Sequence, residues 1–100
     1  MTELICDREF GGAVIDGIER RIVVEWFKPL RDRGSWRCDW TIHPPAPDVE
    51  ALNGHSYGVD SAQALLLAMG MVRGIIEHDY PEAFWLEAGE SLGLPSVSGH

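Results

Sequence analysis

The stretch Ser35-Trp36-Arg37-Cys38-Asp39-Trp40-Thr41-Ile42 alternates apolar and polar side chains at every second residue. A period of two over a stretch of this length is typical of a β-strand with one buried and one solvent-facing side. We therefore predict a strand over residues 35–42. Its buried side carries Trp36, Cys38, Trp40 and Ile42, and its polar side carries Ser35, Arg37, Asp39 and Thr41.

The residues before this strand supply its partner. Residues 20–28 are rich in β-branched and aromatic side chains, which favour strands. Residues 29–34 begin with Pro29 and end with Asp32-Arg33-Gly34, a combination that predicts a turn. We expect strands 20–28 and 35–42 to pair as an antiparallel hairpin.

The remaining strand signals are weaker. The prolines of residues 43–47 end the central strand, because proline cannot donate to a sheet ladder. An edge strand is predicted over residues 50–57, interrupted at Asn53-Gly54. Further short strands are predicted over residues 3–7, 13–15 and 83–88. Gly11-Gly12 is predicted to break the chain between the first two, and this region could form one strand, two strands or an irregular hairpin.

Residues 60–78 have the composition of a long helix. Asp60 is a favourable N-cap and Gln63 follows three residues later, as in a capping box. The interior is rich in Ala, Leu and Met, and His78-Asp79-Tyr80-Pro81 ends the helix. At 100° per residue an apolar stripe forms. It consists of Leu65, Ala68, Met69, Val72, Ile75 and Ile76, widened by Ala62, Ala64, Leu67 and Met71.

These patterns predict an α+β fold, in which an antiparallel β-sheet of about four or five strands packs against one long α-helix. Residues 1–95 are expected to form a single domain and residues 96–100 a flexible tail. We expect the central strand to face the helical stripe.

The apolar arc of the helix is wider than one sheet face needs. Gly70 and Gly74 on this helix permit close approach of a neighbour. We therefore predict a homodimer with the helix or its flank near the interface. In the competing account, Phe84, Trp85 and Leu86 fold back and cover the surplus within one chain.

The charge balance limits the classes of partner. Sixteen Asp and Glu against eight Lys and Arg give a net charge of −8. Such a chain repels phosphate backbones and anionic membranes, so neither nucleic acid nor a membrane is an expected partner. A basic protein would be attracted. With two cysteines, no signal peptide and no apolar stretch of membrane-spanning length, we expect a soluble, cytoplasmic protein.

The sequence indicates no catalytic, cofactor-binding or metal-binding residue. His43, His55, His78 and His100 have no ligand spacing. Ser56 or Ser61 could join His55 and Asp60 in a nucleophilic arrangement, but Asp60 is better explained as a helix cap and Ser61 as a first-turn residue. Cys38 is expected to be a core thiol rather than a reactive one, and the carboxylates Glu77, Asp79 and Glu82 are expected to be solvated.

Three local motifs carry a family resemblance. Trp36-Arg37-Cys38 precedes a proline-rich loop, the run from Tyr57 to Leu65 opens the helix, and Phe84-Trp85-Leu86 is followed by Gly93-Leu94-Pro95. Over residues 20–95 the chain resembles a family of short bacterial proteins known as a domain of unknown function. The Gly-Val-Asp-Ser-x-Gln-Ala-Leu run is the most specific part. The resemblance implies a bacterial cytoplasmic protein and transfers no activity.

Two functions remain. The first is a non-enzymatic protein-interaction domain, homodimeric or similar to an immunity protein that neutralises a basic partner. The second is a small-ligand binder or enzyme, with a Trp-lined pocket between sheet and helix. A concave cavity reached by Arg37, Arg73 or a histidine would favour the second, and a flat apolar patch would favour the first.

Overall fold

The fold was analysed in a computed structural model that describes residues 3–46, 48–85 and 92–95, without the side chains of residues 14 and 15. These residues form a five-stranded antiparallel sheet and one helix, as the sequence predicts. The elements are β1 (Leu4–Ile15), β2 (Ile18–Phe27), β3 (Leu30–Asp32), β4 (Ser35–His43), β5 (Leu52–Gly58) and α1 (Ser61–Asp79).

Strand β4 is the centre of the sheet. It pairs with β2, placing Val24 opposite Ile42 and Trp26 opposite Trp40, which confirms the predicted hairpin. β5 pairs with β4 from Trp36 to Ile42, so β2 and β3 share the other edge of β4. β1 pairs with the far edge of β2 and completes the sheet.

The predicted turn at residues 29–34 is wrong in part. Strand β3 occupies residues 30–32 of that segment, and the turn consists only of Arg33 and Gly34, both with positive φ. Pro29 has no N–H to donate, and the Lys28 N–H bonds to the carbonyl of Glu3 instead. The ladder to β4 therefore breaks for two residues and then resumes.

The predicted break at Gly11-Gly12 is also wrong. β1 continues through both glycines, and an irregularity between Phe10 and Ala13 absorbs the disruption. Gly12 has a φ of 85°, and a β-carbon there would collide with Glu82 and Phe84. Gly11 and Phe84 exchange backbone hydrogen bonds of 3.0 and 3.1 Å. A strand is predicted over residues 83–88, and in the described residues of this range the structure shows only this bridge at Phe84. Residues 86–88 lie outside the described part.

Helix α1 begins at its predicted cap. The Asp60 side chain accepts a hydrogen bond of 2.8 Å from the Gln63 N–H. The buried stripe is centred slightly differently from the prediction, because Leu65, Met69 and Ile75 are only half-buried while Ala64 is fully buried. The fully buried apolar residues of α1 are Ala64, Ala68, Val72 and Ile76.

The core lies between α1 and one face of the sheet. The predicted face of β4 points into it, except that Trp36 is half-buried, with Arg31 stacked over its ring. Gly58 lets the helix approach β5, since a β-carbon there would collide with the backbone of Ala64. The buried apolar residues of the sheet are Phe10, Ala13, Ile22, Val24, Trp26, Cys38, Trp40 and Ile42.

The end of the chain covers one flank of α1. Leu92 and Leu94 are buried, and Arg73 donates a hydrogen bond of 2.8 Å to the Leu94 carbonyl. Arg8 on β1 bonds to the Leu92 and Gly93 carbonyls and stacks on Trp85 at 3.7 Å. This flank is therefore covered within one chain by residues 92–94, and not by the residues of the competing account, because Phe84 and Trp85 contact β1. Leu86 lies outside the described residues.

No helix in the described part of the chain is long and apolar enough to cross a membrane. The predicted tail at residues 96–100 lies outside the described residues.

Candidate functional site

The face of the sheet opposite α1 is the candidate site. Side chains alternate across a strand, so the partners of the buried residues on β2, β4 and β5 point away from the helix. None of the described side chains there is buried. We call this surface the open face. Its residues are Asp7, Glu9, Arg21, Val23, Glu25, Phe27, Leu30, Asp32, Ser35, Arg37, Asp39, Thr41, His43, Asn53, His55 and Tyr57.

A concave cavity of about 500 Å³ lies on the open face. The cavity predicted between sheet and helix was expected to be lined by Trp residues. The observed cavity contains no residue of α1, and Trp40 is the only one of the four tryptophans in its lining. Its lining residues are Phe27, Arg37, Asp39, Trp40, Thr41, Asn53, Gly54 and His55.

Arg37 is held at the centre of an ionic network from three strands. Its Nε lies 3.0 Å from Asp39 Oδ1, and its Nη1 lies 3.6 Å from Asp32 Oδ2. The Tyr57 hydroxyl donates a hydrogen bond of 3.2 Å to the same Asp32 oxygen. The Asp39 carboxylate raises the pKa of Arg37, and a hydrogen bond between Arg37 and Tyr57 adds to this effect. Because its charge is already matched by two carboxylates, Arg37 is a positioned donor rather than an unpaired cation.

Other polar pairs cross the open face between neighbouring strands. Thr41 donates a hydrogen bond of 2.7 Å to the Asn53 side-chain oxygen. Within β5, the His55 ring meets Tyr57 edge-on at 5.3 Å between centroids. Between β4 and β2, His43 pairs with Glu25. Cross-strand pairs of this kind contribute modestly to sheet stability and fix the side chains in place.

One pair of like charges on the open face destabilises the folded domain. Asp7 on β1 lies directly opposite Glu25 on β2, and Glu9 is two residues further along β1. Like charges directly opposite each other on an antiparallel pair are destabilising. Glu9 has a distant partner in Arg21 at 3.9 Å, whereas no ion pair of Asp7 is found among the described residues. The β1–β2 side of the open face is therefore acidic.

The residues considered for nucleophilic catalysis are not brought together. His55 and Ser56 are neighbours on β5, so their side chains point to opposite faces of the sheet. Ser56 Oγ lies 3.0 Å from the sulfur of Met71, on the helix side. Asp60 caps α1, and Ser61 is the exposed first residue of the helix. These four residues therefore do not form a triad.

Cys38 is a core thiol, as predicted. It is buried, its sulfur lies 3.3 Å from the Phe27 carbonyl, and burial raises its pKa to about 11. Cys6 is half-buried, and burial raises its pKa as well. Strand β2 separates the strands that carry the two free thiols.

The acidic residues near the end of α1 have separate surroundings. Glu77 pairs with Arg73 at 2.6 Å, Asp79 with His78 at 2.9 Å, and Glu82 is exposed. In the described residues, no group of three His, Cys, Asp or Glu is placed to hold a metal ion. His100 lies outside the described part of the chain.

The sequence alone does not indicate that Asp32, Arg37 and Tyr57 lie together. Arg37 was recognisable as part of the polar side of β4, which alternates cleanly. Asp32 was assigned to a turn and Tyr57 to a weak strand, and only the register of β3 and β5 on β4 unites them.

In the described part of the chain, the fold and the site together define a small α+β domain with one sheet face covered by the helix and the other uncovered. Residues 8–96 match the model of a domain of unknown function, DUF6968, and the chain belongs to this family. The predicted resemblance to a family of that kind is thereby confirmed. Comparisons with curated proteins and with solved structures gave no match.

Proposed function

We propose that this chain is a non-enzymatic protein-interaction domain that binds a basic partner protein through its open face. The observation that carries the proposal is the direct opposition of Asp7 and Glu25 on an uncovered surface. Glu25 is paired with His43, whereas Asp7 has no ion pair among the described residues, so a cation from a partner would relieve the repulsion that remains at Asp7.

The rest of the open face supports the same partner chemistry. Asp7, Glu9 and Glu25 form its acidic side, while Phe27 and Tyr57 provide aromatic contact area near the cavity. Aromatic side chains are enriched at binding interfaces because they bury large areas with few rotatable bonds. The net charge of −8 adds long-range attraction for a basic protein.

Neutralisation of a basic protein, as by an immunity protein, is one form that this function would take. A bacterial origin and a cytoplasmic location belong to the proposal, the second because Cys6 and Cys38 are both free thiols.

Photo-crosslinking in a lysate of the source organism tests the proposal. A photoreactive amino acid replaces Tyr57 on the open face, and in a control chain it replaces Leu66, which is 55% exposed on α1. We expect a basic protein to crosslink at position 57, with a yield that falls as salt is added. A partner that crosslinks only at position 66 would contradict the proposal, and so would an acidic partner at position 57 other than a second copy of this chain.

A small ligand is the second candidate, and the cavity favours it. Its volume of about 500 Å³ is within the range of ligand pockets, and Arg37 and His55 reach it as the ligand hypothesis requires. Titration with a library of small molecules, followed by backbone amide shifts, separates the two functions. Saturable shifts confined to the cavity residues would favour a ligand, and their absence alongside the crosslink at position 57 would favour the protein partner.

A further inference from the structure

The outer edge of β5 is unpaired in the described part of the chain. β5 pairs only with β4 there, so about half of its backbone N–H and C=O groups point away from the sheet. Natural edge strands are usually protected by charged side chains or proline. The seven residues Leu52-Asn53-Gly54-His55-Ser56-Tyr57-Gly58 contain neither Asp, Glu, Lys, Arg nor Pro.

The opposite edge of the sheet is protected. β1 carries Asp7, Arg8 and Glu9, and Phe84 is bridged to it at Gly11. β1 is therefore a protected edge of the sheet, and β5 is an edge that is available for pairing.

A second feature on the same side of the molecule is a flank of α1 that is exposed in the described part of the chain. The contact between Ser56 and Met71 places the Met71 flank beside β5. An apolar groove of about 340 Å³ runs along it, and a β-carbon on Gly74 would meet nothing within 4 Å. The groove is lined by Gly70, Met71, Gly74, Ile75, His78 and Asp79. Arg73 lies on the other flank, which residues 92–94 cover.

We propose that a second copy of this chain docks here, with β5 pairing antiparallel to β5 of the partner and the two α1 flanks meeting at Gly74. An isologous contact of this kind extends the sheet across a two-fold axis, and it sets both helices side by side on one face. The small residues of the flank let these helices approach closely.

The distribution of charge favours a second copy of this chain as the occupant of the groove. Two chains of net charge −8 repel each other, so they associate best where each carries little charge. β5 contains no Asp, Glu, Lys or Arg, and the groove contains one carboxylate, Asp79, which is paired with His78. A basic partner would instead be drawn to the acidic open face. That face lies on the other side of the sheet and stays accessible in the dimer.

Light scattering of the full chain at micromolar concentration tests the proposal. We expect a mass of twice the 11.1 kDa of one chain. Gly74→Glu should give the single-chain mass, because it sets two carboxylates against each other at the axis. The control Leu66→Glu, on an exposed part of α1 away from the groove, should remain a dimer.

Hydrogen exchange distinguishes strand pairing from a contact between helices alone. We expect the β5 amides of the wild type to exchange at least about tenfold more slowly than those of Gly74→Glu, while the helical circular dichroism of the two is the same. A wild-type mass of one chain would overturn the proposal. A Gly74→Glu dimer, or β5 amides that exchange equally fast in both proteins, would do so too.

Discussion

The indole ring of Trp40 occupies the space that a β-carbon at position 54 would need, because Gly54 lies directly opposite Trp40 on β5. The glycine that resembles a strand break is thus what allows β5 to continue beside a large buried ring. Trp40 is 4% exposed, so it has little room to move.

Gly54→Ala should therefore destabilise the domain by about 1–3 kcal/mol, since the added methyl forces the ring out of its packing position. Denaturant unfolding in dilute solution measures the effect. Gly74→Ala is the matched control at a dilution where the chains are dissociated, because its methyl meets nothing within 4 Å in its own chain and should add up to about 1 kcal/mol through helix propensity. Equal stability of wild type and Gly54→Ala would show that Trp40 is not packed as described.

Val72 tests the assignment of the buried stripe on α1. It is completely buried against the sheet. Val72→Asp should unfold the domain, because burying an unpaired carboxylate costs several kcal/mol, as much as many domains have in total. Leu66→Asp, at a 55% exposed site of the same helix, should retain cooperative melting. If both variants melt like the wild type, the helix is oriented wrongly.

The cap of α1 gives a smaller and more specific effect. Asp60→Ala removes the acceptor of the 2.8 Å hydrogen bond from the Gln63 N–H and should cost about 1 kcal/mol. Asp60→Asn keeps an acceptor and should cost much less. Comparison of the two free energies of unfolding isolates the cap, and an equal loss in both variants would assign the effect to the charge of Asp60 instead.

The thiol of Cys38 predicts an alkaline loss of stability. Burial raises its pKa from an ordinary value of 9.0 to about 11, so between these values the unfolded chain releases a proton that the folded chain keeps. Stability is therefore fully present below about pH 9 and falls as pH rises towards about 11. Cys38→Ala should show a shallower decline of the unfolding free energy over this window, whereas Cys6→Ala should change the slope less because Cys6 is only half-buried. An unchanged slope in Cys38→Ala would place that thiol in contact with water.

Local patterns were enough to predict the main elements of the fold. The alternation in residues 35–42 and the composition of residues 20–28 identified β4 and β2, and their pairing follows from the turn between them. Asp60 and the apolar stripe located α1 to within one residue at each end.

What the sequence could not reveal depends on contacts between distant segments. β3 was hidden because Pro29 ends one ladder just before Leu30 starts the next. Gly11-Gly12 and Gly54 resemble strand breaks in the sequence. The side chains that fill the space beside these glycines, Phe84 and Trp40, lie elsewhere in the chain. The opposition of Asp7 and Glu25 depends on the β1–β2 register, which no local pattern specifies.

Asp7 serves the binding of a basic partner at the expense of the stability of the isolated domain, because it lies opposite Glu25 and has no ion pair among the described residues. The measurement is the affinity of the partner captured at position 57, for the wild type and for Asp7→Asn, which leaves the pair of Glu25 with His43 intact. We predict that the variant binds about tenfold more weakly, yet unfolds with a free energy higher by about 0.2–1 kcal/mol because the like-charge repulsion is gone. The control Glu82→Gln removes the same charge away from the open face and should bind like the wild type. Unchanged affinity of Asp7→Asn would contradict the account.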